Sequence, residues 1–177
     1  MFKCLNVKML KWNGFTLVEV LVSMFIIVLM SGIIFANYRQ SGQQFALQRS
    51  ASKLAQDIRR VQQMAMGAKE FGGSIPPGGY GIYFDISAPT QYILFADTNS
   101  DYQYSGAGER IEDPIEFEKG AEIQSLNPSS PLNITFTPPD PKVRVNTLEG
   151  SLATINLIAD TTTKTITVNA AGLIEIQ

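Results

Sequence analysis

From Phe15 to Ala36 the chain reads FTLVEVLVSMFIIVLMSGIIFA, and Glu19 is its only charged residue. A run this long and this apolar can be buried only in lipid or inside a bundle of similar helices. An acid within it is costly, about 2.5–3.5 kcal/mol on insertion scales at a helix centre and less near the end, where Glu19 stands. The carboxylate therefore calls for a partner. Lys3, Lys8 and Lys11 precede the run with no acid among them. That bias holds the leader in the cytoplasm and exports the rest of the chain. A secretory signal fits poorly. Its apolar core is usually about 7–15 residues and ends in small residues, whereas this longer run is succeeded by Asn37-Tyr38-Arg39-Gln40.

Composition then narrows the function. The 177 residues include no histidine, and the one cysteine is Cys4. Histidine acid–base chemistry, His-liganded metals and Ser-His triads are excluded, and the chain beyond the apolar run has no thiol for a disulfide or thiolate site. The glycines at 72, 73, 78, 79 and 81 flank prolines and read as a turn rather than a phosphate cradle. Asp85, Asp97, Asp101 and Glu109 could supply paired carboxylates for hydrolysis, but only their clustering points that way. No enzyme is expected.

No proline occurs before Pro76, so residues 15–68 can form one helix, roughly 80 Å long at 1.5 Å per residue. Its first half is apolar all round. In its second half Leu47, Ala51, Leu54, Ala55, Ile58, Val61, Ala65 and Ala68 recur at three- and four-residue steps, the stripe of a helix packed on one side. Gly32 is the one weak point in the apolar half, costing about 1 kcal/mol of helix propensity relative to alanine. The helix is expected to end near Gly67, and GGSIPPGG at 72–79 is a loop.

The period then changes to two. Tyr80, Ile82, Phe84 and Ile86 alternate with Gly81, Tyr83 and Asp85, and Gln91–Ala96 reads as the antiparallel partner. Further strands are expected at Ala121–Leu126, Leu132–Thr137, Val143–Val145, Leu152–Ala159, Lys164–Asn169 and Leu173–Gln177. Residues 127–131 and Thr161-Thr162-Thr163 are expected as turns, and Pro138, Pro139 and Pro141 close one segment. The expected fold is α+β, a long N-terminal helix packed on an antiparallel sheet meander.

The segment from Asp97 to Glu109 resembles an EF-hand-type calcium loop. Asp97, Asn99 and Asp101 match ligand positions one, three and five, and the Gln103 carbonyl matches seven. Two departures stand out: Tyr102 replaces the usual glycine, and the closing acid, Glu109, comes one residue late. The alternative is a turn rich in Asp and Asn without metal. Charge is also uneven. Residues 37–69 carry six bases against Asp57, and residues 70–177 carry five bases against fourteen acids. Two readings stand: a basic helix beside an acidic head that orders neighbouring subunits, or simply solvated faces. Lys142 and Arg144 are the only close basic pair of the head, so nucleic acid is not an expected partner.

The stretch Gly14-Phe15-Thr16-Leu17-Val18-Glu19 at the head of the apolar run resembles the type IV pilin and pseudopilin signal. The resemblance implies cleavage by prepilin peptidase between Gly14 and Phe15, N-methylation of Phe15, and pairing of Glu19 with the Phe15 amine of a neighbouring subunit during assembly. Met9 would give a six-residue leader and is a second candidate start. The segments LAQDIRRVQQMAM, YGIYFD…YILFAD and KTITVNAAGLIEIQ resemble the GspH/FimT minor pseudopilins. This implies a leader at 1–14, a transmembrane and filament-core helix at 15–36, an amphipathic helix at 37–71 and a β-rich head at 72–177. The expected role is a minor pseudopilin of a type II secretion pseudopilus. It needs no cofactor, with calcium open. Its partners would be prepilin peptidase, other pilins and pseudopilins, the inner-membrane assembly platform and the membrane itself. It would cross the inner membrane once with its head exported, then stand in a periplasmic or surface filament. The alternatives are a minor type IV pilin of a pilus or DNA-uptake machine, and an uncleaved membrane-tethered binding domain.

Overall fold

The computed structural model describes residues 14–137 and 142–177. The leader readings, with Cys4 and Met9, and the prolines at 138, 139 and 141 lie outside the described residues. The chain divides into two units at Arg39/Gln40.

Helix α1 runs Leu17–Met66. It begins after Thr16, whose Oγ1 accepts the N–H of Glu19 at 3.2 Å, the bond of an N-cap to the third helical residue. It ends in a left-handed turn. Ala68 has φ 44°, and the N–H of Lys69 returns to the Met64 carbonyl at 3.1 Å, as in a Schellman closure. The helix therefore stops two residues before Ala68, and its buried stripe at Ala65, because Ala68 itself makes the turn.

In the first unit Leu17–Ile34 is long and apolar enough to cross a membrane by length and composition. Two hydroxyls in it are satisfied internally. Ser23 Oγ donates to the Glu19 carbonyl and Ser31 Oγ to the Ile27 carbonyl, both at 2.7 Å.

The second unit is an α+β head. One sheet has six strands: β1 Gly79–Phe84, β2 Gln91–Asp97, β3 Ile115–Glu116, β5 Leu132–Thr137, β6 Lys142–Val145 and β7 Leu148–Glu149. Their order is β3-β2-β1-β5-β6-β7. The other sheet has four strands: β4 Glu122–Asn127, β8 Ala153–Ala159, β9 Thr162–Val168 and β10 Ile174–Ile176, ordered β10-β9-β8-β4. Every pairing is antiparallel. One core joins both sheets to the helix. Leu47, Leu54, Ile58 and Val61 of α1 cluster with Tyr80, Ile82, Phe84 and Leu132 of the larger sheet and with Ile155, Leu157, Ile166 and Val168 of the smaller. Fully burying each aliphatic side chain contributes about 1.5–3 kcal/mol.

Three expectations are corrected. The strands flanking residues 127–131 are not partners. β4 pairs with β8 and β5 with β1 and β6, so that segment crosses between sheets and the head is not a single meander. Thr162 and Thr163 belong to β9, and the tight turn sits at Asp160, with φ 55°. β1 stops at Phe84 rather than Ile86, because Asp85 accepts the N–H of Ser87 at 2.8 Å and turns the chain.

Candidate functional site

Gly14, Phe15 and Thr16 stand outside the helix. A Cβ added at Gly14 would meet nothing within 4 Å, so packing among the described residues places no demand for glycine there. Phe15 is 80% exposed. Glu19 is the only acid in the first turn of α1, and it forms no ion pair among the described residues. Thr16 and Glu19 have the spacing of a capping box, in which the hydroxyl and the carboxyl each cap one end of the same turn. The Thr16 half is formed. This threonine-x-x-glutamate pattern is legible in the sequence, and reading the acid only as an intersubunit partner missed it.

In the Asp97–Glu109 loop the acidic side chains accept hydrogen bonds from the loop's own donors. Asp97 is fully buried. Its Oδ1 accepts the N–H groups of Asn99 at 3.2 Å and Ser100 at 2.7 Å, and its Oδ2 that of Tyr102 at 2.8 Å. Asp101 accepts from Gln103 N–H at 2.8 Å, Asn99 Nδ2 at 2.9 Å and Ser105 Oγ at 2.7 Å. Glu109 accepts from Thr98 N–H at 3.2 Å and Ser105 N–H at 2.9 Å. Burial pushes the Asp97 carboxyl up despite its three donors. Burial opposes the bonds at Asp101, yet those from Ser105, Gln103 and Asn99 hold its carboxyl below the usual carboxylate range. The carboxylates thus face N–H and O–H groups, and no three acids converge on a metal position among the described residues. The proposed ligands Asp97, Asn99, Asp101, Gln103 and Glu109 share the loop, where the three acids already accept hydrogen bonds. A divalent ion would have to displace these donors.

The loop instead lies over the face of the larger sheet turned away from the core. Tyr104 packs on Tyr83 and Phe95 at ring distances of 5.0 and 5.8 Å, and its N–H donates to Asn133 Oδ1 at 3.0 Å. The Arg144 guanidinium lies 4.4 Å from the Tyr102 ring centre. Two glycines make this fit possible. A Cβ on Gly78 would collide with the Asp97 carboxylate, and one on Gly81 with the Phe95 ring.

The basic helix face is partly spent inside the head. Arg49 binds Glu118 with two nitrogens, Nε at 2.7 Å and Nη2 at 2.5 Å, and Arg60 binds Glu112 at 2.8 Å. Lys142 and Arg144 both pair with Glu149, at 3.2 and 2.8 Å. A further tie escaped sequence reasoning, because its partners lie far apart in the chain. The hydroxyl of buried Tyr92 donates to Asp57 Oδ2 at 2.5 Å. Burial, and then that bond, pushes the Tyr92 phenol far above its ordinary value.

Residues 13–35 match the prokaryotic N-terminal methylation motif. Neither curated proteins nor solved structures give a match to the chain. The match takes in Gly14, Phe15 and Glu19 and stops before the head, so the chain carries a type IV pilin-like signal on an α+β head that the motif does not describe.

Proposed function

We propose that the chain is a filament subunit cut between Gly14 and Phe15 by prepilin peptidase, methylated on the new Phe15 amine, and assembled through Leu17–Ile34. The observation that carries this reading is the methylation motif at 13–35, overlapping the apolar segment Leu17–Ile34, whose single acid, Glu19, has no ion-pair partner among the described residues. A second point supports it: glycine at 14 answers no steric need among the described residues. A demand from outside the chain, such as a protease cleft, accounts for it. In the assembled state Glu19 pairs with the Phe15 amine of the next subunit. In low dielectric such a pair sets register more than net stability. Within this class we place the chain as a minor pseudopilin of a type II secretion pseudopilus. The resemblance of the head strands favours that choice. Replacing Gly14 by leucine tests the cleavage step. The expected result is accumulation of a precursor larger by the leader, with the head still folded; normal processing contradicts the assignment.

A further inference from the structure

Residues 111–118 form a strap beside α1, and the contacts that hold it are of two kinds. Backbone bonds tie it to the outer edge of β2: Ile111 N–H to the Leu94 carbonyl at 3.0 Å, the short β3 pairing of Ile115 and Glu116 with Tyr92 and Gln91, and Phe117 N–H to the Thr90 carbonyl at 2.9 Å. Its polar ties to the helix are two ion pairs and one hydrogen bond. Arg60–Glu112 and Arg49–Glu118 clamp its ends, with the Glu118 N–H donating to Ser50 Oγ at 3.0 Å between them. Both ion pairs stand in solvent, with side-chain exposures of 48% and 36% for the first and 61% and 42% for the second. Phe117 inserts, 5.2 Å from the Tyr92 ring, and Ile111 and Ile115 pack half-buried against the core. Three concavities undercut the strap. One of about 390 Å3 lies against Ser52 and Gln56, one of about 400 Å3 against Asp57 and Ile115, and one of about 400 Å3 against Thr90 and Gly120.

We propose that this strap is a salt-sensitive element that lifts from α1 as a unit while β1, β2 and β5 stay paired. Exposed ion pairs contribute little and are screened, and the screening length falls to about 3 Å at 1 M salt. An edge strand of two residues over undercut packing is the kind of segment that opens before the core does. Lifting bares the Asp57–Tyr92 bond and the outer edge of β2, whose Thr90 and Leu94 carbonyls the strap occupies. An open strand edge is a place where another backbone strand can pair.

Hydrogen exchange followed by mass spectrometry, on the full chain in detergent, tests this directly. At low salt the strap amides should exchange at least ten-fold faster than those of β1 and β5, and 1 M sodium chloride should accelerate the strap alone. The double variant Arg49→Gln with Arg60→Gln should reach the high-salt rate at low salt and lose its salt response. Strap amides that exchange as slowly as β1, or that ignore both salt and the double variant, overturn the proposal.

Discussion

Ala68 shows how one residue sets a boundary. It turns the helix off with φ 44°, a conformation that costs an L-residue about 1–2 kcal/mol. Ala68→Gly should therefore stabilise the protein by about 0.5–1 kcal/mol, seen as a melting temperature higher by about 1–4 °C at this size. The opposite holds at Gly78. Gly78→Ala drives a methyl group into Asp97, which must give up its three backbone donors. The loss should be about 2–4 kcal/mol by chemical denaturation, within the range for breaking a buried hydrogen-bond network. Glu19 belongs to a different account. Glu19→Ala should leave cleavage and folding intact and abolish recovery in sheared filaments; normal incorporation counts against its assembly role.

The helical element was largely legible in the sequence, and the strands less so. Proline-free length and a three-to-four step are local signals, so α1 and its buried stripe Leu47 to Ala65 come from them directly. Whether β4 pairs with β5 or with β8 is decided by distant packing. No two-residue period records it, and so the crossover at 127–131 read as a hairpin turn. The acidic loop reads two ways for a similar reason. Alternating Asp and Asn serve both cations and backbone N–H groups, and only coordinates show which groups face the oxygens. The loop satisfies its own acceptors, so millimolar calcium should leave the melting temperature of the full chain unchanged; a rise of several degrees would show that the loop re-forms around the ion. The helix–sheet tie gives a pH prediction. The folded state disfavours ionised Tyr92, whose unfolded reference is 10.0, so this stability is complete below about pH 10 and falls as pH rises beyond it. Tyr92→Phe should lose about 1.5 kcal/mol at neutral pH, as for a hydrogen bond to a charged group, and should show less of the alkaline fall. At the other end, bonds to Ser87 and to Arg49 hold Asp85 and Glu118 below the usual carboxylate range. Their contribution is present above about pH 4.5 and is lost as pH drops through the lower folded values.

At the scale of the whole molecule, the chain combines an apolar helix that needs lipid or other helices around it with a head that holds a full core of its own, without a disulfide. The motif match ends at residue 35, so the head's role was legible only as architecture: two sheets on one helix, polar loops outside, and no constellation for catalysis found in the sequence. The matched motif was legible because its signals are local: a glycine, an aromatic residue next to it, and one acid four residues on from that aromatic residue. All of it rests on removal of the leader. The most direct measurement is the mass of the N-terminal peptide of native protein from its own membrane. The account predicts a chain beginning at N-methylated Phe15; a chain that still carries Gly14 and the lysines before it contradicts it.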